Sequence, residues 1–169
     1  MTWTNRIVGH DEVPPDQLLA HPDNWRVHPK YQQEALRGVI NDIGYIKSVT
    51  VNKLTGRVVD GHLRVTLALR DGVPTIPVEY VELTEAEEAE ALLTLDPIAA
   101  LAGADKNNLE ALLQQVNTGD AAVMELLSKL SQETGVVTPE FKEYDESIAD
   151  GIEVCKCPTC GHEHAAKTN

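Results

Sequence analysis

The chain is short of basic residues: 14 Lys and Arg stand against 27 Asp and Glu, a formal net charge of −13. Duplex backbone is bound through basic surface, so this balance excludes a protein that coats nucleic acid by bulk attraction. No apolar run approaches the ~20 residues that span a bilayer, which argues against any membrane partner. Met1-Thr2-Trp3-Thr4-Asn5-Arg6 lacks the basic-then-apolar layout of a secretion signal, and the expected compartment is the cytoplasm. Cysteine is missing from the first 154 residues, so no disulfide framework is expected there. Aromatics make up 4%, with a single Phe, yet the 42% apolar content is enough for a core and excludes wholesale disorder. At 169 residues the chain has room for one ordinary domain and an appendage.

What is present is unevenly placed. Residues 1–81 carry nine basic and nine acidic residues, and residues 82–169 carry five and 18, so the whole excess of acid lies in the second half. Cys155, Cys157 and Cys160 fall within six residues. Such close neighbours meet disulfide geometry poorly, and a metal knuckle suits a reducing compartment better.

Periodicity and turn chemistry predict the elements. Residues 6–13 read as a strand ended by Pro14-Pro15, and His21 to Pro29 as a polar loop bounded by prolines. A helix is expected over 30–43, with the stripe Ala35, Leu36, Val39, Ile40 and Ile43 and a left-handed cap at Gly44. Val49-Thr50-Val51-Asn52 and Arg57-Val58-Val59 flank Thr55-Gly56 as a hairpin. Helical character follows from His62 to Arg70, then a strand at 75–81 whose prolines suggest an edge or a strand start. Thr84 with Glu87 forms a capping box for a helix at 85–95, which Asp96-Pro97 interrupts. Asp105 caps a helix at 106–117, and Gly119-Asp120 leads into another at 120–133, together a helical hairpin. The acidic run Glu82, Glu85, Glu87, Glu88 and Glu90 reads as a solvated face, His10 and His21 as surface or loop histidines, and Trp3 and Trp25 as core-packing residues.

The densest chemistry lies in Asp60-Gly61-His62-Leu63-Arg64, between a strand and a helix. Glycine lets the backbone approach a ligand, and the free N–H groups that follow form an anion site. Arg64 sits in the first helical turn, where a cation opposes the helix dipole, a conflict that an anion would resolve.

Four segments, in order, resemble the ParB/sulfiredoxin superfamily: Asn24-Trp25-Arg26-Val27-His28-Pro29, Gln32-Gln33-Glu34-Ala35-Leu36, Gly44-Tyr45-Ile46-Lys47-Ser48-Val49, and Val58-Val59 followed by the turn 60–64. The resemblance is strongest to phage-type ParB-like domains of the kind associated with DNA methyltransferases, and it covers roughly residues 7–96. It implies an α+β fold, a small mixed sheet with packed helices, over residues 1–98. The ParB turn Gly-Glu-x-Arg contacts nucleoside triphosphate, so Gly61, His62 and Arg64 become nucleotide- or phosphate-binding candidates. Arg26 and His28 join them from the loop, Arg26 as a bidentate phosphate donor. CTP or ATP with Mg is the implied ligand. Sulfiredoxins place a catalytic Cys after this Gly; here it is His62, which excludes sulfinic acid reduction. Leu63 stands where ParB turns commonly carry a second arginine, and the acidic helices at 106–133 have no convincing helix-turn-helix, which argues against sequence-specific DNA reading there.

The resemblance implies an accessory module in DNA modification, partition or packaging in a phage or mobile element, working in the cytoplasm of a bacterial host cell. Its partners are DNA or a DNA-modifying or packaging protein, and a homodimer is consistent with it. One alternative is a metal-dependent nuclease or nucleotide hydrolase, with Asp60 and His62 as catalytic candidates and His28 and Asp96 beside them. Another is a protein-interaction adaptor without nucleotide. Beyond an acidic extension at 99–135 and a linker at 136–154, residues 155–164 read as a zinc knuckle. Cys157-Pro158-Thr159-Cys160-Gly161 has the spacing of a structural zinc turn, and Cys155, His162 and His164 are local candidates to complete four ligands.

Overall fold

The computed structural model describes residues 2–136, 154–156 and 163–165. The chain divides into two compact units, 1–138 and 139–169.

In the first unit, β1 (Ile7–Val13), a 3-10 turn (Pro15–Gln17) and α1 (Lys30–Ile43) precede β2 (Val49–Asn52) and β3 (Val58–Asp60). Then come α2 (His62–Asp71), β4 (Ile76–Val81), α3 (Glu85–Ala100), α4 (Lys106–Leu113) and α5 (Ala121–Thr134). The sheet order is β1-β4-β2-β3. β1 runs antiparallel to β4, from Ile7 opposite Val81 to Val13 opposite Ile76. β2 lies parallel to β4, Val49 opposite Val78, and pairs antiparallel with β3 across the Thr55-Gly56 turn. A parallel pair needs a crossover connection, and here β3 followed by α2 makes it. The inner face of α2 and the strands form an aliphatic core of Val49, Val51, Val58, Val65, Ala68, Ile76 and Val78, with Tyr45 and Tyr80 half-buried against it. β-branched side chains suit a pleated, buried surface, which is how a chain poor in aromatics closes its core.

Strand β4 is interior, not an edge. Pro77 is tolerated because it is the second residue of the strand and stands one residue before the β2 pairing begins, where a missing N–H costs least. Helix α3 does not stop at Asp96-Pro97 but runs on to Ala100. A proline in a helix removes one i→i−4 bond, at a cost of about 3 kcal/mol, and that is too local a loss to end this helix. Helix α4 ends at Leu113, four residues earlier than expected, although Asp105 caps it as predicted.

Asp120 caps α5 by accepting from the Ala122 and Val123 N–H groups, and α5 packs on α1. The contact is at Gly38, where a Cβ would come within 2.5 Å of the Asp120 carboxylate and 2.7 Å of Val123. Thr118 also donates to Asp42 on α1 at 2.6 Å.

Four side-chain placements differ from the sequence reading. Glu88 is 1% exposed, not part of a solvated face, and His21 is also buried; both are held by the polar cluster described below. Trp3 and Trp25 are 94% and 55% exposed, not core residues, because the valines and Ile76 already fill the core.

In the second unit, β5 (Val154–Lys156) pairs antiparallel with β6 (Glu163–Ala165), and Cys155 and His164 are register partners. Cys157, Cys160 and His162 lie outside the described residues, as does most of the 136–154 linker. Among the described residues, no helix is long and apolar enough to cross a membrane.

Candidate anion-binding pocket

The turn between β3 and α2 opens into a pocket of about 180 Å³. Its floor is Asp60, Gly61, His62, Leu63 and Arg64. The 21–29 loop supplies Asn24, Arg26 and His28, and α3 supplies the wall of Leu92, Leu95 and Asp96. Every pocket residue expected from the sequence therefore lines one cavity. Lys47, just before β2, joins them, whereas Arg57 does not line it.

Gly61 has φ +101°, a left-handed conformation that favours glycine. A Cβ there would lie 2.9 Å from Arg64 Nη2 and 3.1 Å from Val49. The close approach that demands glycine is thus made by the Arg64 guanidinium folded over it. Arg64 donates to Asp60 Oδ2 at 3.0 Å and to the Ser48 carbonyl at 3.2 Å, while its buried Nε has no hydrogen-bond partner among the described residues. No side chain caps the α2 N-terminus and no acid sits in its first turn, so its free N–H groups keep their positive potential.

The carboxylates of the pocket are committed to cations. Lys47 Nζ lies 2.9 Å from Asp60 Oδ2, and Arg26 is ion-paired with Asp96. Burial pushes the Asp60 carboxyl upward, but Lys47 and Arg64 outweigh it and hold it below the usual range. Three cations face two carboxylates, leaving an excess of positive charge in an otherwise acidic chain. Among the described residues no three His, Cys, Asp or Glu side chains converge to hold a metal ion.

Trp25, between the lining residues Asn24 and Arg26, is pinned to α3. Its indole N–H donates to the Leu92 carbonyl at 3.2 Å, and the Arg26 guanidinium lies 5.5 Å from its ring centre. His28 Nδ1 is 3.1 Å from Gln32 Oε1, tying the loop to α1.

Behind the pocket lies a second cluster that the sequence did not reveal. Glu88 Oε2 accepts from Asn52 Nδ2 and, at 2.8 Å, from Thr55 Oγ1. Glu88 Oε1 lies 2.9 Å from His21 Nε2 and 4.0 Å from Arg57 Nη1. The His21 contact is close but poorly aligned, and leaves Oε1 without a hydrogen bond of normal geometry. His21 N–H donates to His62 Nε2 at 3.2 Å, which links this cluster to the pocket. Burial, and next the His21 ring, lower the His62 pKa. A polar Asn52 in a strand of β-branched residues was the one local signal of the cluster.

The fold and pocket together define an α+β domain with a mixed four-stranded sheet and a cationic cavity at a strand-to-helix turn. No protein-family model matches the sequence, and no curated protein matches it significantly. Similar solved structures are ParB N-domains. One is the C-terminally truncated chromosome-partitioning protein ParB from Caulobacter crescentus complexed with CTP-γ-S, at 24% identity and TM-score 0.48, covering 77% of this chain and 73% of that one. Two structures of a pNOB8-like ParB N-domain match at 12% and 13% identity, each with TM-score 0.47, over 96% and 98% of this chain. The match spans 59% and 56% of those two chains.

Proposed function

We propose that the chain is a ParB-like nucleotide- or phosphate-binding module that acts in DNA-related processes. The observation that carries this reading is the uncapped N-terminus of α2 opening onto Arg26, Lys47 and Arg64 in one small cavity. Backbone N–H groups and guanidinium forks are matched to phosphate oxygens. The same reading covers its use beside DNA-modifying or packaging proteins, homodimerisation, a hairpin of α4 and α5, and a tail knuckle whose bound zinc would be lost in Cys157→Ser.

Calorimetric titration with CTP, ATP and inorganic triphosphate tests the reading. The wild type should bind at least one of them, and Arg26→Ala should weaken it roughly tenfold or more. Asp96→Asn, which frees Arg26, should tighten it. Absence of binding by all three ligands overturns the reading, and so does an Arg26→Ala variant that binds as the wild type does.

A further inference from the structure

Two backbone donors determine the protonation pattern behind the pocket. A peptide N–H can only donate, so the nitrogen that it meets must be an unprotonated acceptor. Asp23 N–H meets His21 Nδ1 at 3.0 Å, which leaves the proton of neutral His21 on Nε2, the nitrogen 2.9 Å from Glu88 Oε1. His21 N–H meets His62 Nε2, which leaves the proton of neutral His62 on Nδ1. That is the opposite of the tautomer that free histidine prefers in water. Which ring nitrogen carries the proton is set by the bond the other one makes.

Glu88 is suited to anchoring this chain by being an acceptor only. The polar side-chain atoms recorded against its carboxylate are donors: Asn52 Nδ2, Thr55 Oγ1, His21 Nε2 and Arg57 Nη1. Asn52 cannot turn round to offer its oxygen, because Oδ1 already accepts from the Leu54 and Leu83 N–H groups. A buried carboxylate is costly to desolvate, and a structural need for helix α3 alone would be met by an apolar side chain.

We propose that Glu88 and His21 are positioning residues for the pocket: they lock His62 as the Nδ1–H tautomer, so that it meets an anionic ligand as a hydrogen-bond donor and not as an acceptor. This deepens the anion-site reading and rests on it for the ligand. A neutral donor adds selectivity for acceptor oxygens without adding charge. The lowered His62 pKa agrees with a ring that stays neutral at pH 7.

Long-range proton–nitrogen correlation spectra of the full chain, with nitrogen-15 in its histidines, read the tautomer directly; His62→Gln assigns the signal. Wild-type His62 should show the Nδ1–H pattern at pH 7.5. Glu88→Gln, which must set an amide N–H against one of those donors, should shift His62 toward Nε2–H. His21→Ala keeps the peptide donor but removes its anchor, and should do the same. Both variants should weaken inorganic triphosphate binding about tenfold. An Nε2–H pattern in the wild type overturns the proposal whatever the variants do, as does an unchanged Nδ1–H pattern in both folded variants. If triphosphate fails to bind the wild type while the tautomer pattern holds, the anion-site reading falls and the tautomer lock stands.

Discussion

His62 connects the pocket carboxylates to the Glu88 cluster, and burial separates the two. Asp96 and Asp60 face the cavity: Asp96 pairs with Arg26, and Asp60 with the 66% exposed Lys47 as well as with the mostly buried Arg64. The wet pairs are therefore Arg26–Asp96 and Lys47–Asp60. Glu88 is dry and is met chiefly by neutral donors. Water can replace a partner at the wet pairs, so they can be exchanged for a ligand at small cost. Nothing can replace a partner at Glu88, so that cluster behaves as scaffold. The wet side is built to change partners and the dry side to hold its geometry.

The contrast is broken most sharply by Glu88→Ala. It strands buried donors and leaves a cavity, and should cost about 3 kcal/mol in urea unfolding, whereas Asp96→Ala should cost roughly 1 kcal/mol or less. Equal losses would show that the two sides do not differ. Gly61→Ala comes next. Its φ of +101° and the 2.9 Å approach to Arg64 predict a loss of about 2 kcal/mol, together with weakened triphosphate binding as Arg64 is displaced.

Acidification should give the smallest and most informative effect, in two windows. His62 has a folded pKa below its unfolded value of about 6.5. Its contribution is therefore present above that value and is lost as pH falls toward the folded pKa. Asp60 is also lowered, so its contribution is present above about 4 and is lost at still lower pH. Urea midpoints measured between pH 8 and pH 3 should fall in both windows, and His62→Gln should abolish the upper one. A flat profile between pH 7 and pH 5 would contradict the half-buried setting of His62.

The features legible in the sequence are those made by residues close along the chain. Thr84 and Glu87 form both bonds of their capping box, and Asp105 and Asp120 cap as expected. Gly44 ends α1 at φ +80°, its N–H on the Ile40 carbonyl. The Thr55-Gly56 hairpin and the strand–turn–helix around Gly61 are equally local. What stayed hidden depends on distant partners. Glu88 needs Asn52 and Thr55, more than 30 residues away, to be buried at all. The close seat of Gly38 against Asp120 and Val123 is made by residues more than 80 positions along the chain. Trp25 reads as core until the core is found already filled by valines.

The sheet order also sets a schedule for synthesis. Among the described residues β1 is an edge strand paired with β4, Ile7 opposite Val81. The β2–β3 hairpin and α2 can form as soon as they leave the ribosome, but β1 has nothing to pair with until residue 81 has been made. During that interval the first strand travels as an unpaired edge, the kind of segment that recruits stray strands. Near its end it carries two adjacent acids, Asp11 and Glu12, and charges on an edge strand oppose such stray pairing.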